Sequence, residues 1–150
     1  MIDKEDFYHG AAIMRLIEHG QPIQFTKHDI GYRVNESAFV YLKYTSKSRS
    51  PWRFTFGLEE LDRLRRLSES HARVIVALIC GGDGVCAIKL EELFRLGGLE
   101  LKWACVQRSH RERYGVSGPT GDLGRKVPLQ RWPLLVLGEN DVTVEEQLTS

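Results

Sequence analysis

Residues 73–80 read Arg-Val-Ile-Val-Ala-Leu-Ile-Cys, an apolar and largely β-branched run. A strand facing water on one side alternates polar and apolar residues. A run without alternation predicts a central strand buried on both faces. Gly82-Asp83-Gly84 follows as a tight-turn sequence and returns the chain as a hairpin partner over 85–90. The helix that should lead into the central strand is the clearest in the chain. Over 58–70, Leu58, Leu61, Leu64 and Leu67 form an apolar stripe, with acids gathered early and arginines late, as the helix dipole favours.

Upstream, residues 38–44 alternate, with Phe39, Tyr41 and Lys43 on one face and Val40, Leu42 and Tyr44 on the other. This strand is expected to lie next to the central one. Short strands are predicted at 23–25 and 31–34, with turns at 27–29 and 35–37. A first helix is expected over 5–19, its apolar positions read as Phe7, Ala11, Met14, Leu16 and Ile17. Downstream come a short helix over 91–96, a strand over 101–107, an outlying strand at 114–116 and a segment, 128–138, that packs back on the core. The order is α-β-β-β-α-β-β-α-β, an α/β (α+β) domain with one central mixed sheet flanked by helices. Residues 1–150 read as a single domain: a core over 1–96, a β-rich extension over 97–138 and a fraying tail over 139–150.

The chain has 150 residues, a net charge of +1 and 27% charged residues, ordinary globular composition. Charge is unevenly spread. The stretch 37–57 carries Lys43, Lys47, Arg49 and Arg53 without an acid, and a second basic stretch runs from Lys102 to Arg131. Cys80, Cys86 and Cys105 lie in strand-like contexts without zinc-ligand spacing, which predicts free thiols in a reducing, cytoplasmic setting. No apolar run approaches the roughly 20 residues that a membrane helix needs, so no membrane partner is expected. Phosphate-loop, dinucleotide-binding, nucleophile-elbow and HExxH motifs are absent from the sequence.

The most distinctive stretch is Tyr41-Leu42-Lys43-Tyr44 through Ser50-Pro51-Trp52-Arg53-Phe54-Thr55-Phe56. Cations interleaved with flat aromatic surfaces can neutralise phosphates and stack bases. That makes Lys43, Lys47, Arg49, Trp52 and Arg53 candidates for binding DNA or RNA. The other reading of Trp-x-Phe-x-Phe is one buried strand face.

This segment is similar to a pattern in a family of bacterial proteins. The order α-β-β-β-α-β over about residues 5–90 also resembles the core of the PD-(D/E)XK, or restriction-endonuclease-like, nucleases. The resemblance implies an aspartate near the second strand, and an acid-x-lysine on the third, that hold magnesium and activate water. Asp29 would be the aspartate and Lys43 the lysine. Where the acid belongs, two residues before Lys43, stands Tyr41, and a phenol is a poor ligand for a hard cation. Glu59 or Glu60 could supply a displaced acid. The expectation is a nucleic-acid-binding protein on a nuclease-derived scaffold, with hydrolysis absent or vestigial and no cofactor. Magnesium, with Asp29 as a ligand, enters only if the site is active. Two alternatives stand beside it: a protein-interaction module, as in phage defence or counter-defence, and a metal-dependent nuclease with a displaced acid.

Overall fold

A computed structural model of the chain describes residues 1–71 and 73–138, the Leu99 side chain excepted. The expected tail over 139–150 lies outside them. The strand that decides the fold, β5 (Arg73–Cys80), is buried from Val74 to Cys80. Beside it runs β3 (Ala38–Thr45), parallel and in register from Ala38↔Arg73 to Thr45↔Cys80. The hairpin partner β6 (Gly84–Lys89) pairs with its other edge. On the far side of β3, β2 (Gly31–Val34) and β1 (Phe25–His28) complete a mixed five-stranded sheet of order β1-β2-β3-β5-β6.

β1 begins two residues later than predicted and contains Lys27 and His28, which read as turn in the sequence. It is an edge strand with three exposed residues of four, so it needs no apolar alternation. The turn falls on Asp29 and Ile30 instead, with Asp29 at φ 54°, a conformation Asp tolerates.

A parallel neighbour requires a crossover, and α2 (Leu58–Ser70) supplies it. Its Leu61, Leu64 and Leu67 pack with Phe39, Val74, Val76 and Leu78 on one face of the sheet. The opposite face, with Val40, Leu42, Ile75, Ala77 and Ile79, is covered by α1 (Lys4–Glu18) and α4 (Arg131–Val136). Trp132 joins those helices by donating its indole N–H to the Ala12 carbonyl, 2.9 Å away. Of the apolar positions predicted on α1 only Leu16 is buried, and its companion in the core is Ala12, which was not among them. Ala12 and Leu16 face the sheet, whereas Phe7, Met14 and Ile17 are 68%, 51% and 55% exposed.

One sheet was expected; the chain makes two. β4 (Trp52–Thr55) leaves the first sheet and pairs antiparallel with β7 (Trp103–Gln107), followed by β8 (Gly115–Gly118) and β9 (Gly121–Asp122). The expected boundary at residue 96 therefore separates nothing, because β4 from the first part is the edge strand of the second sheet. Inward residues Trp52, Phe54, Ala104, Val106 and Val116 share a core with α2, with α3 (Leu90–Arg95) and with the first sheet.

A polar clasp joins the sheets. Asp83, in the β5–β6 turn, accepts two hydrogen bonds from the Arg108 guanidinium at 2.8 and 2.7 Å and one from the Tyr114 hydroxyl at 2.8 Å. The Arg108 hydrogen bonds hold the Asp83 carboxyl below its ordinary pKa against partial burial. The loop before β4 is pinned at Gly81, whose φ is +54° and whose added Cβ would collide with the Lys47 carbonyl oxygen. No described helix is long and apolar enough to cross a membrane.

Cys80 and Cys86 are buried free thiols, and burial pushes the pKa of both up. Cys105 is half-buried on the outer side of the second sheet. In the native protein a thiol reagent should therefore react at Cys105 alone, and in denaturant without reductant at all three cysteines. Rapid native labelling of Cys80 or Cys86 would contradict this packing.

Candidate functional site

Strand β3 and helix α2 meet in a cluster of three polar side chains. Tyr41 and Lys43 alternate with Leu42, so both point to the α2 side of the sheet. At the start of α2 the N-cap is Gly57, which has no side chain to offer. Glu60, three residues on, reaches back and accepts the Gly57 N–H at 3.0 Å through Oε1. The other oxygen, Oε2, accepts from Lys43 Nζ at 2.7 Å and from the Tyr41 hydroxyl. The Lys43 ammonium also lies over the Phe56 ring, 4.7 Å from its centroid.

Burial disfavours the charged form of Glu60. The hydrogen bonds from Lys43, Tyr41 and Gly57 outweigh it and leave the carboxyl below its ordinary value. For Tyr41, burial first and the Glu60 carboxylate second push the phenol pKa up. The cluster is thus a neutral phenol and an ion pair, with both carboxylate oxygens occupied.

Of the two acids considered as replacements, Glu60 is the one that reaches Lys43; Glu59 is exposed one residue earlier on α2. Asp29 does not join them. Its carboxylate pairs with Arg63 Nε at 3.3 Å, one helical turn beyond Glu60. Asp29 and Lys43 therefore engage successive turns of α2 rather than each other. Among the described residues no group of three or more His, Cys, Asp or Glu side chains is placed to hold a metal ion.

Beside the cluster the first sheet opens. β2 pairs with β3 as far as Val40, while β3 continues to Thr45 along β5. The space left is a groove of about 400 Å³ lined by Glu5 and His9 of α1, by 41–45 of β3 and by Arg53, Phe54 and Thr55 of β4. Burial lowers the His9 pKa, which favours a neutral imidazole beside the Glu5 carboxylate on this wall.

The expected nucleic-acid residues divide. Trp52 is 2% exposed and donates its indole N–H to the Lys47 carbonyl at 3.0 Å, so it is core and cannot stack a base. The buried-strand reading of Trp-x-Phe-x-Phe holds for Trp52, Phe54 and Phe56. Lys47 and Arg49 are exposed on the loop, with Lys47 Nζ on the Pro51 carbonyl at 2.8 Å.

Arg53 alternates outward, and its guanidinium lies 4.7 Å from the Trp103 ring centroid. Trp103 was missed in the sequence. The signal was available in its strand, Trp-Ala-Cys-Val-Gln, where Ala104 and Val106 are the buried set and Trp103, Cys105 and Gln107 the outer set. Together with Arg53, Thr55 and Ser117 they make the outer face of the second sheet, exposed or half-buried throughout. At its β8–β9 end a hollow of about 300 Å³ is lined in part by Gln107, Ser117, Arg125 and Lys126.

The depressed Glu60 carboxyl fixes a sign. Its contribution to stability is fully present above its ordinary value of 4.5 and is lost as pH falls through the lower folded-state value. Thermal melts from pH 7 to pH 3 should show a smaller acid-side loss in Glu60→Gln than in the natural chain. Glu60→Ala, which strands the half-buried Lys43, should cost about 2 kcal/mol at pH 7. Identical acid-side slopes for the two proteins would contradict the assigned hydrogen bonds.

No protein-family model, curated protein or solved structure matches the chain significantly, so its function has to be read from the chemistry of these surfaces.

Proposed function

We propose that the chain is a nucleic-acid-binding protein on a nuclease-like scaffold whose hydrolytic centre is closed. The observation that carries the binding reading is the Arg53–Trp103 pair on the outer face of the second sheet. A guanidinium lying over an indole on an open strand surface offers a phosphate contact and a flat cationic and aromatic platform together. Lys47 and Arg49 on the neighbouring loop and Lys102, just before β7, add exposed cations near that face.

The closed centre is supported by how the carboxylates are spent. A nuclease of the resembled type needs acids with lone pairs directed at magnesium. Here Glu60 is saturated by Lys43, Tyr41 and Gly57, and Asp29 faces Arg63. Tyr41 completes the closure, because its hydroxyl donates to the carboxylate where an acid would have shared the metal. The element order α1-β1-β2-β3-β4-α2-β5 contains the order on which the resemblance was drawn, with β4 inserted before α2 and paired into the second sheet.

The three tryptophans give a direct readout. Trp52 and Trp132 are each 2% exposed and Trp103 is half-buried, so a stacked base should quench Trp103 first. Titration with a single-stranded oligonucleotide at low salt should quench fluorescence, with affinity falling steeply as salt rises. Trp103→Ala should abolish the quench and weaken binding at least about tenfold, since one stacked base contributes roughly 1–3 kcal/mol. Arg53→Ala should weaken binding and lower the salt slope by about one phosphate contact. No binding at any salt to DNA or RNA would refute the reading and favour a protein-interaction module.

A further inference from the structure

The sequence carries a regular apolar stripe on α1 that the fold leaves unused. Phe7, Gly10, Met14 and Ile17 recur at intervals of three and four residues and so share one face. That face lies opposite Ala12 and Leu16, the residues that α1 buries against the sheet. Phe7, Met14 and Ile17 are each more than half exposed, and a Cβ placed on Gly10 would meet nothing within 4 Å. A contiguous apolar stripe with this spacing marks an interaction surface rather than scattered surface hydrophobicity.

We propose that this stripe is a self-association face, on which α1 of a second copy packs antiparallel. A two-fold axis near Gly10 and Ala11 sets Phe7 of one copy against Met14 of the other. The two small residues at the crossing let the helix backbones approach closely.

One charged pair fits the same arrangement, the neighbouring Asp3 being already engaged as the N-cap that accepts the Asp6 N–H. Lys4 and Glu18 stand at opposite ends of α1, roughly four turns apart and therefore on the same flank of the stripe. Antiparallel packing brings the Lys4 of one copy beside the Glu18 of the other, twice per dimer. Glu18 already accepts from Arg15 within its own helix at 2.8 Å, so each cross-copy contact joins an existing ion pair. One helix against another is a small interface, so the dimer should be weak, with a dissociation constant on the order of tens of micromolar. The inference does not depend on nucleic-acid binding. Were both correct, the dimer would carry two copies of the Arg53–Trp103 face.

Sedimentation velocity of the full chain, from about 5 to 500 µM to span that range, tests it. The natural protein should show a reversible monomer–dimer equilibrium. Met14→Lys should weaken it at least about tenfold without changing the thermal melt, because Met14 touches no core. Lys4→Glu should also weaken it, and Lys4→Glu combined with Glu18→Lys should restore it. A monomer at every concentration overturns the proposal and leaves the stripe to a different protein. A dimer indifferent to Met14→Lys overturns the face, and failure of the charge swap to restore association overturns the antiparallel pairing.

Discussion

A strand buried on both sides from Val74 to Cys80 has to be covered twice, and that constraint on β5 organises the molecule. Its two edges are taken by β3 and β6. Its two faces are covered by α1 and α4 on one side, and by α2, α3 and the second sheet on the other. Because β3 is parallel to β5, the chain must cross over between them, and the crossover helix is what brings Glu60 to Tyr41 and Lys43. The polar cluster is thus a consequence of the same packing that buries Val76 and Leu78. A lysine and a glutamate are tolerated there because each satisfies the other at the margin of the core.

Much of this was legible in the sequence where burial writes a simple pattern. The run from Val74 to Ile79, the α2 stripe at Leu61, Leu64 and Leu67 and the Gly-Asp-Gly turn each have one strong reading, and each is what the chain forms; Leu58, read into the same stripe, is exposed at the helix start. Alternation along β3 placed Tyr41 and Lys43 on one face correctly. The second sheet was not legible. Its first strand, Trp52–Thr55, pairs with Trp103–Gln107 across some fifty residues of chain, and nothing local marks such a distant partner.

Two further differences have physical reasons. On α1 the more regular apolar stripe is the exposed one, while the core takes small Ala12 and Leu16 because Trp132 fills the space beside them. At the candidate site, the tyrosine that stands where the resembled motif has an acid could be seen in the sequence, but the choice between Glu59 and Glu60 could not. The N-cap settles it: Glu60 is the residue placed to reach back to Gly57, and that turn of the side chain also presents it to Lys43. Trp52 was misassigned to a nucleic-acid surface because a strand of alternating aromatics does not say which of its faces is inside; the outward residue beside it is Arg53.

Two surfaces are distinct: a polar cluster whose charges are consumed internally, and a cationic, aromatic sheet face that is open. Incubating the purified chain with single-stranded DNA and magnesium, and measuring bound fraction and strand length in the same sample, tests that separation most directly. The DNA should be bound at low salt and remain full length. Magnesium-dependent cleavage that disappears in Asp29→Ala would contradict this, because it would mean that the carboxylates at α2 are available to a metal after all.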